Sequence, residues 1–447
     1  MSATNPPARS RRGEEPRLIA LLDGKRVGQV HQDQTGRFRF IYDDEWRDSP
    51  NAYPLSLAMP LSTQEHAHDA INAFLWGLLP DNHRTLSQYA RRFGVSAGNP
   101  VALLAHMGAD CAGAVQFAPA DGADALIAAA DAPDDIEWLS DDQVAELLRD
   151  VRERGIPRID SRTAAQFSLA GAQPKIALLE EGGRWARPAG RTPTNRILKP
   201  PSDAFDGFAE NEHFCLELAR ALELGAARSR VMRFAGEVAI VVDRFDRTIV
   251  DGRYHRVHQE DVCQALGILP DQKYESEGGP GIRKIVGLLR DASQEPKADV
   301  DRFLSAMALN WVLAATDGHA KNYALLHGPR GATRLAPFYD IASYLPYAEP
   351  PLHRVKLAMK IGSEYLVKRI GKAHWEQLAK AIGVPTAELL ERVEHVAGSV
   401  VSVIGRVRQG CVDEGLDQRA IDLIAERIGK RARACLDDLH APGQLAG

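Results

Sequence analysis

The chain has 447 residues, of which 45% are hydrophobic and 26% are charged, so it is long enough for two or three globular domains. Its formal charge of −5 argues against nucleic acid as the main partner, and its five cysteines, none in a Cys-x-x-Cys pair, argue against structural zinc and predict unpaired, mostly buried thiols. No apolar run is long enough for a membrane span, and residues 1–16 lack the apolar segment of a signal peptide, so we expect a disordered N-terminal tail and a cytoplasmic protein.

The first predicted unit covers residues 17–118 and is rich in strands. The strands are short apolar runs, and the Asp23-Gly24 pair between the first two predicts a hairpin. A helix follows and is expected to end before Pro80. Residues 119–139, rich in Ala and Asp, are interpreted as an exposed linker. The predicted strands and the helix are, in order, 18–22, 27–30, 38–42 and 70–79.

The second predicted unit, residues 140–254, combines short strands with one helix, which indicates a small α+β lobe. We expect the helix over 211–224, with Gly225 as its C′ residue, because glycine tolerates the left-handed backbone that ends many helices. The predicted strands are 167–169, 175–179, 196–199 and 237–242.

The third predicted unit, residues 255–440, is mainly helical and is followed by a short tail, 441–447. A helix over 300–316 carries apolar side chains at helical spacing on one face, and it leads the chain directly to Asp317. Further amphipathic helices are predicted within 373–436, with breaks at 383–385 and 410–415.

Two acids and an asparagine form the most informative pattern. Asp317 and Asn322 are five residues apart, and Asp340 follows after a hairpin-length gap. Phosphoryl transfer needs a carboxylate that orients the attacking hydroxyl, and oxygen ligands that hold Mg²⁺ against the phosphates of ATP. We therefore predict Asp317 as the catalytic base, and Asn322 and Asp340 as Mg²⁺ ligands. Ala315-Thr316 replaces the His-Arg that precedes the aspartate in standard protein kinases.

Each of these residues also has a plainer interpretation. An Asp-Gly pair such as Asp317-Gly318 is common in polar turns, and Asp340 could cap the segment that follows it. A carboxylate between apolar neighbours is costly to bury unless a cation compensates it, and a metal is the simplest such cation. His319 and Lys321 could contact phosphate or steer the loop.

Further candidates for ATP binding lie in the small lobe. Residues 170–175 form a small-residue loop whose backbone N–H groups could approach phosphate, although an ordinary hairpin loop fits equally well. Lys199 ends a strand where kinases place the lysine that contacts the α- and β-phosphates, and Glu212 is its predicted partner, with Glu210 in reserve. The backbone of 243–245 could pair with adenine. The predicted ATP-binding residues are Ala170, Gly171, Ala172, Gln173, Pro174, Lys175, Lys199, Asp243, Arg244, Phe245, His319, Lys321, Asn322, Tyr339 and Asp340.

The chain resembles the HipA family, the serine/threonine kinases of bacterial HipBA toxin–antitoxin modules. The resemblance extends over residues 17–440 and rests on many separated segments. These segments are Arg26-Val27-Gly28, Pro54-Leu55-Ser56-Leu57, Leu78-Leu79-Pro80-Asp81, Ala170-Gly171-Ala172-Gln173, Arg244-Phe245-Asp246-Arg247, Gln259-Glu260-Asp261, Lys273-Tyr274-Glu275, Gly278-Gly279-Pro280-Gly281 and 315–322.

The resemblance implies a role for each matched position. Asp317 would be the catalytic aspartate, residues 170–175 the flexible phosphate-binding loop, and 243–245 the adenine-binding hinge. Ser168 matches the serine that the family autophosphorylates, which expels the loop and inactivates the kinase. Pro174 departs from the best-known member, which has a glutamate there, and this change could alter the mobility of the loop. The fold class predicted from these observations is α+β, with a kinase-like two-lobed core, an N-terminal β-rich subdomain and a largely helical C-terminal half.

The resemblance also implies a function and partners. The expected function is that of a toxin kinase that phosphorylates a translation component, with glutamyl-tRNA synthetase as the best guess, and so inhibits growth. A HipB-like helix-turn-helix antitoxin would neutralise it, and the complex would bind operator DNA mainly through the antitoxin and repress its operon. Two alternatives stay open. One is a small-molecule or lipid kinase, since Asp317, His319 and Asn322 also resemble phosphoinositide-kinase loops, and the other is a catalytically idle co-repressor.

Overall fold

The structure is a computed structural model that describes residues 17–128, 135–158, 167–189, 192–201, 207–347 and 351–440. The predicted tails, 1–16 and 441–447, lie outside these ranges. In the part of the chain that the structure describes, no helix is both long enough and apolar enough to cross a membrane. All five cysteines are buried and unpaired, as predicted.

The first unit is built on one antiparallel sheet with the strand order β4-β3-β2-β1-β6. Asp23 and Gly24 both have positive φ, 46° and 78°, which the predicted hairpin turn requires. Helices pack on one face of the sheet over an aromatic core that includes Phe40 and Phe74, and α5 packs on the other face against Ile19 and Leu21. The elements are β1 (Arg17–Leu22), β2 (Lys25–Gln32), β3 (Phe38–Tyr42), α1 (Asp44–Arg47), β4 (Glu65–His66), α2 (His68–Leu78), α3 (His83–Phe93), α4 (Pro100–Met107), β5 (Asp110–Cys111), β6 (Val115–Pro119) and α5 (Ala120–Ala128).

The second unit contains a six-stranded sheet with the order β12-β13-β11-β9-β10-β7, and all its pairings are antiparallel. One helix of this unit, α6, packs on the sheet through Val144, Leu148 and Val151. The elements are β7 (Asp135–Leu139), α6 (Asp141–Arg154), β8 (Phe167–Ser168), β9 (Ile176–Glu181), β10 (Arg184–Ala189), β11 (Arg196–Lys199), α7 (Phe208–Ala221), β12 (Ser229–Phe234), β13 (Glu237–Asp243), β14 (Arg247–Val250) and β15 (Arg253–Arg256).

Two predictions about this region need correction. The predicted linker 119–139 contains α5 and β7, because alanine is the strongest helix former and β7 pairs with β10 at the edge of the sheet. Helix α7 ends at Ala221, before Gly225. Its C′ residue is Glu223 (φ 57°), and the N–H of Leu224 bonds to the carbonyl of Ala219, so a glutamate takes the left-handed position that was predicted for the glycine.

The third unit is mainly helical, as predicted. Helix α10 is buried along nearly its whole length around Trp311, and a three-stranded sheet, β16-β17-β18, lies beside it. Helix α12 continues past the predicted break at Gly410, and the chain turns at Gly415 (φ 84°). The elements are β16 (His258–Asp261), α8 (Val262–Ala265), α9 (Ile282–Ala292), α10 (Pro296–Leu313), β17 (Ala324–Gly328), β18 (Ala332–Leu335), β19 (Lys356–Ile361), β20 (Glu364–Leu366), α11 (Lys372–Ile382), α12 (Thr386–Asp413) and α13 (Gln418–His440).

The first and second units meet through buried charges. Asp110 lies 3.3 Å from Arg244, 2.7 Å from Arg247 and 3.3 Å from Arg256, and Asp246 pairs with the first two arginines. We call these five residues the Asp110 cluster. Burial opposes ionisation of Asp110, but the three guanidinium groups outweigh it and hold the pKa of Asp110 well below its ordinary value.

Candidate active site

The loop between α10 and β17 carries the predicted catalytic residues. Ala314 ends α10 with a positive φ of 48°, and the chain then turns through Asp317 toward Asn322. The side-chain nitrogen of Asn322 donates to the carbonyl oxygen of Asp317 over 2.6 Å, which closes the loop and leaves the amide oxygen of Asn322 for another ligand. The side chain of Asp317 is 64% exposed, so a substrate can reach its carboxylate.

The segment after β18 brings Asp340 to Lys199. The Nζ atom of Lys199 lies 2.7 Å from Oδ1 of Asp340 and 2.7 Å from Oε1 of Glu212, which projects from α7. Glu212 makes this contact, and the reserve candidate Glu210 does not. The cation that compensates Asp340 here is therefore an ammonium group, where the sequence argument favoured a metal. No helix begins within 341–347, so Asp340 is not an N-cap.

These charges influence one another strongly. Burial opposes ionisation of Asp340, but the ammonium groups of Lys199 and Lys175 outweigh it and hold the pKa of Asp340 well below its ordinary value. Burial raises the pKa of Glu212, and Lys199 counteracts only part of this effect. Burial disfavours a charged Lys199, yet Asp340 and Glu212 raise its pKa. At neutral pH the lysine is therefore protonated and Asp340 is ionised.

The backbone of Asp340 is strained. Its φ is +57°, in the left-handed region, which costs a residue with a Cβ atom about 1–2 kcal/mol. Contacts on either side hold this conformation: the hydroxyl of Tyr339 donates to the carbonyl of Lys321 over 2.8 Å, and that of Ser343 donates to the carbonyl of Leu313 over 2.7 Å. Strain of this kind often accompanies function, because the surrounding structure must maintain it.

Asp317, Asn322 and Asp340 line one cavity of about 220 Å³. Its other walls are formed by the start of α7, the middle of α10 and the segment after Asp340, and they include several aromatic rings. The cavity therefore places a carboxylate, an amide and a second carboxylate around a space that a substrate can enter. The aromatic lining residues are Phe208, Tyr323, Phe338, Tyr339, Tyr344 and Tyr347.

The predicted phosphate-binding loop, residues 170–175, turns at Gly171, whose φ is +106°. This backbone conformation favours glycine, because residues with a Cβ atom rarely adopt it, and a Cβ atom there would also displace the ammonium end of Lys175. Lys175 donates to the carbonyl of Ala170 over 2.6 Å, and the side chain of Gln173 donates to the carbonyl of Pro200 over 3.4 Å. Burial, followed by the charge of Lys199, lowers the pKa of Lys175 to about 8.

Ser168 precedes this loop and is fully buried. It lies in β8, which pairs in parallel with β5 opposite Cys111, and its hydroxyl donates to the carbonyl of Leu78 over 2.8 Å. The N–H of Asp81 also bonds to the carbonyl of Gly171 over 3.2 Å. The end of α2 and the turn after it therefore hold the phosphate-binding loop in place.

The predicted hinge residues 243–245 occupy the end of β13 and the turn beyond it. The side chain of Asp243 lies 3.2 Å from Arg196, and Arg244 belongs to the buried Asp110 cluster, so both side chains are engaged in ion pairs. The ring of Phe245 packs 5.6 Å from that of Tyr339. Of the three predicted hinge side chains, Phe245 is therefore the one placed beside the site.

His319 and Lys321 face different surroundings. The ammonium group of Lys321 is buried and lies 3.4 Å from Asp81 and 3.3 Å from Asp261, which together raise its pKa against the effect of burial. Of the two roles predicted for Lys321, this placement favours an effect on the conformation of the loop and does not favour a contact with phosphate. His319 is buried beside Asp317, 3.7 Å from its carboxylate, and burial lowers the pKa of His319.

Three further residues contribute to the site but received no role from the sequence. The hydroxyl of Tyr274 donates to Oδ1 of Asp317 over 2.7 Å. Lys273 lies 2.8 Å from Asp81, the acid that also faces Lys321. Both Lys273-Tyr274-Glu275 and Leu78-Leu79-Pro80-Asp81 were visible as segments shared with a known family, which is the signal that could have drawn attention to them.

The donors present fit a nucleotide and a divalent cation. Asp340 offers a carboxylate and Asn322 an amide oxygen, and oxygen ligands of this kind suit Mg²⁺. Within the described ranges, no group of three or more His, Cys, Asp or Glu side chains is arranged to hold a metal by itself. Such an ion would thus depend on oxygens from the nucleotide, as is common for Mg²⁺ at phosphate-transfer sites. The cradle around Gly171 and the ammonium groups of Lys175 and Lys199 suit an anionic ligand.

Comparisons with known proteins find matches to one family in both halves of the chain. Residues 18–118 match the family model described as HipA N-terminal domain, and residues 167–404 match that described as HipA-like C-terminal domain. "Putative kinase Y4mE" of Sinorhizobium fredii is 35% identical over 418 residues, which cover 93% of this chain and 97% of that protein. "Serine/threonine-protein kinase toxin HipA" of Shewanella oneidensis is 28% identical over 394 residues, which cover 85% and 87%.

A solved structure shares the fold. It is the complex of HipA, HipB and operator DNA from Shewanella oneidensis MR-1, and its matching chain has a TM-score of 0.78 and 24% identity over 96% of this chain and 100% of that chain. The match confirms the predicted mixed α+β fold of kinase type.

Proposed function

The chain belongs to the HipA family, and from this premise we propose that it is an ATP- and Mg²⁺-dependent serine/threonine protein kinase that acts as the toxin of a type II toxin–antitoxin system. The observation that carries the proposal is the convergence of Asp317, Asn322 and Asp340 on one cavity, with Lys199 fixed between Asp340 and Glu212. Relatives described as a kinase or a kinase toxin support it.

In this proposal Asp317 is the catalytic base. Its carboxylate accepts the proton of an attacking serine or threonine hydroxyl and holds that hydroxyl in line with the phosphate. Asn322 and Asp340 are the residues that would hold Mg²⁺, which when bound neutralises phosphate charge. The exposure of Asp317 supports this division of roles, since a protein substrate must reach the base.

The remaining predicted residues bind the nucleotide. Lys199 and Lys175 supply positive charge for the phosphates, and residues 170–175 supply backbone N–H groups. The turn at 243–245 takes the adenine, with Phe245 against the ring. The side chains of Asp243 and Arg244 are engaged in ion pairs, and their N–H groups bond to the carbonyls of Arg228 and Asn195, so Phe245 is the main residue of this turn for the contact.

Ser168 is the proposed site of autophosphorylation. Its hydroxyl is buried and donates to the carbonyl of Leu78, so the loop must leave its present position before phosphate can be added. A doubly charged phosphate could not return to a buried site that offers it a carbonyl oxygen. Phosphorylation would therefore keep the loop out and switch the kinase off.

The proposed protein substrate is a translation component, with glutamyl-tRNA synthetase as the first candidate. The proposed partners are a HipB-like antitoxin and, mainly through it, operator DNA. The solved complex with HipB and operator DNA supports this choice of partners. The net charge of −5 supports a DNA contact made largely by the antitoxin.

Mass spectrometry after incubation with Mg-ATP tests the proposal. The purified chain is incubated alone and with glutamyl-tRNA synthetase, and phosphate is located by intact-mass and peptide analysis. We expect phosphate on Ser168 and on the synthetase, and none with Asp317→Asn or Asp340→Ala. Phosphate transfer to protein that persists in either variant contradicts the assigned roles. Phosphate on Ser168 alone keeps the kinase and reopens the choice of substrate.

A further inference from the structure

Tyr274 makes the one direct side-chain hydrogen bond to the carboxylate of Asp317 within the described part of the chain. Its hydroxyl donates to Oδ1 over 2.7 Å, and its ring packs edge-on against His319 with 5.0 Å between ring centres. Burial and the charge of Asp317 raise the pKa of Tyr274, so the hydroxyl keeps its proton and acts as a donor at any pH at which the protein works.

The backbone around Tyr274 is held tightly. Its carbonyl accepts hydrogen bonds from the N–H groups of Glu277 and Gly279, at 3.0 and 2.9 Å. A Cβ atom on Gly279 would collide with the carbonyl of Gln272, so only glycine permits this close approach. One residue further on, the carboxylate of Glu275 accepts from the N–H of Lys360 over 2.8 Å. The tyrosine thus projects from a rigid support.

That support reaches the first unit of the fold. The carbonyl of Lys273 accepts from the N–H of Ala320, in the catalytic loop, over 3.3 Å, and its ammonium group lies 2.8 Å from Asp81. Both charged groups of this pair are largely buried, so salt in the solvent screens them weakly. A continuous path of contacts therefore leads from Asp81, in the first unit, through Lys273 and Tyr274 to Asp317.

We propose that Tyr274 is a positioning residue for Asp317, held in place by the first unit through the Asp81–Lys273 ion pair. By occupying Oδ1, the tyrosine hydroxyl fixes the rotation of an otherwise exposed carboxylate and presents Oδ2 to the acceptor hydroxyl. The inference rests on the proposed kinase function, because it assigns Tyr274 a role only if Asp317 is the base.

The rate of ADP release at saturating Mg-ATP and glutamyl-tRNA synthetase tests the inference. Tyr274→Phe removes the hydroxyl and keeps the ring against His319. Because a freely rotating carboxylate is correctly oriented less often, we expect kcat to fall about 10-fold while KM for ATP stays within about 2-fold. Tyr53→Phe, which removes a hydroxyl in the first unit away from the site, is the matched control and should keep the wild-type rate.

Two further comparisons separate positioning from a general structural defect. In an Asp317→Ala background, Tyr274→Phe should cause no additional loss, because the tyrosine acts through the missing carboxylate. Lys273→Met should lower kcat with the same unchanged KM, and combining it with Tyr274→Phe should add little. Equal losses in both Asp317 backgrounds, or a wild-type kcat for Tyr274→Phe, overturn the inference. A faster Tyr274→Phe enzyme also overturns it and indicates that the tyrosine blocks the base.

A different set of results would show that the proposed kinase function itself is wrong. If the wild-type chain and Asp317→Ala release ADP equally slowly and neither gains phosphate on Ser168, the proposed kinase function fails and the role of Tyr274 falls with it. If only the wild type gains phosphate on Ser168, the choice of substrate is wrong, and the rate of Ser168 phosphorylation replaces ADP release in the same comparison of variants. If the wild type is active, Asp317→Ala is far slower and Tyr274→Phe matches the wild type, only the role of Tyr274 fails. Thermal unfolding midpoints for all variants establish that each difference in rate comes from a folded protein.

Discussion

Lys199 is the residue on which the stability and the chemistry of the site both depend. Its ammonium group is buried between Glu212 and Asp340, and Glu212 is only 1% exposed. Since a buried charge without its partner is costly, we expect Lys199→Met to lower the free energy of unfolding by about 3–5 kcal/mol and to abolish ATP binding. Urea denaturation and binding of a fluorescent ATP analogue measure the two effects.

A double variant separates the two roles of Lys199. In Lys199→Met/Glu212→Leu the unpaired carboxylate is also removed, and apolar pairs of similar volume often replace buried ion pairs without loss of stability. We therefore expect this variant to recover most of the unfolding free energy but no ATP binding. If the double variant is as unstable as Lys199→Met, the unpaired carboxylate of Glu212 does not cause the loss of stability in the single variant.

Lys175 should give nucleotide binding a pH dependence. With a pKa of about 8, its ammonium group is charged at pH 7 and largely neutral at pH 9, so attraction for phosphate is present below pH 8 and is lost as the pH rises through it. We expect ATP affinity to fall about 10-fold between these values, roughly one pKa unit of interaction energy. Titration calorimetry of the wild type and of Lys175→Met checks this, and the variant should bind weakly at both values.

At the scale of the element, the phosphate-binding loop is held by the residue that precedes it. A carboxylate in place of the Ser168 hydroxyl would be buried against the carbonyl of Leu78, with no proton to donate. We expect Ser168→Asp to displace the loop, to weaken ATP binding by at least about 10-fold, and to make the loop accessible to protease. Ser168→Ala, which loses one hydrogen bond but no space, should keep the loop docked and bind ATP normally.

Element types were predictable from sequence where local pattern decides them. The first three strands of the first unit, the hairpin at Asp23-Gly24 and the long apolar helix before Asp317 were predicted correctly, whereas β4 and β6 of the same sheet were not predicted. Helix α5 was missed because its composition suits both a linker and a helix, and its packing against β1 and β6 decides between them. The end of α7 was misplaced because Glu223, which no sequence rule favours there, adopts the left-handed position.

The residues of the site were likewise predictable only where they lie close together in the sequence. Asp317 and Asn322 share one loop, so their spacing made them visible. Tyr274 and Asp317 are 43 residues apart, and Lys273 and Asp81 are 192 residues apart, so no local pattern links them. The ammonium group beside Asp340 was likewise hidden, because Lys199 lies 141 residues away in the chain.

At the scale of the whole molecule, the Asp110 cluster joins the first and second units. Asp110→Asn keeps the shape of the side chain but removes the charge that three buried arginines share. We expect the free energy of unfolding to fall by about 3–5 kcal/mol, because the guanidinium groups stay buried with less compensation. Chemical denaturation followed by tryptophan fluorescence measures it. Asp121→Asn, at an exposed position on α5, is the control and should change stability by less than about 0.5 kcal/mol.

The segment 77–81 ties the first unit to both halves of the site. Its carbonyl groups accept from Ser168 and from Lys321, and Asp81 faces Lys273 and Lys321. The phosphate-binding loop and the catalytic loop thus rest on the same short piece of backbone. A partner that moves this segment would alter nucleotide binding and catalysis together, even if it never touched the cavity.

The left-handed backbone of Asp340 has a consequence for genetics. Asparagine and glycine tolerate that conformation at least as well as aspartate, and Lys199 keeps Glu212 when Asp340 changes, so Asp340→Asn and Asp340→Gly should fold and yet transfer no phosphate. A single base change in an aspartate codon produces either one. If the kinase stops growth, cells that survive its overproduction should therefore carry changes at this codon unusually often, and they should still accumulate full-length protein.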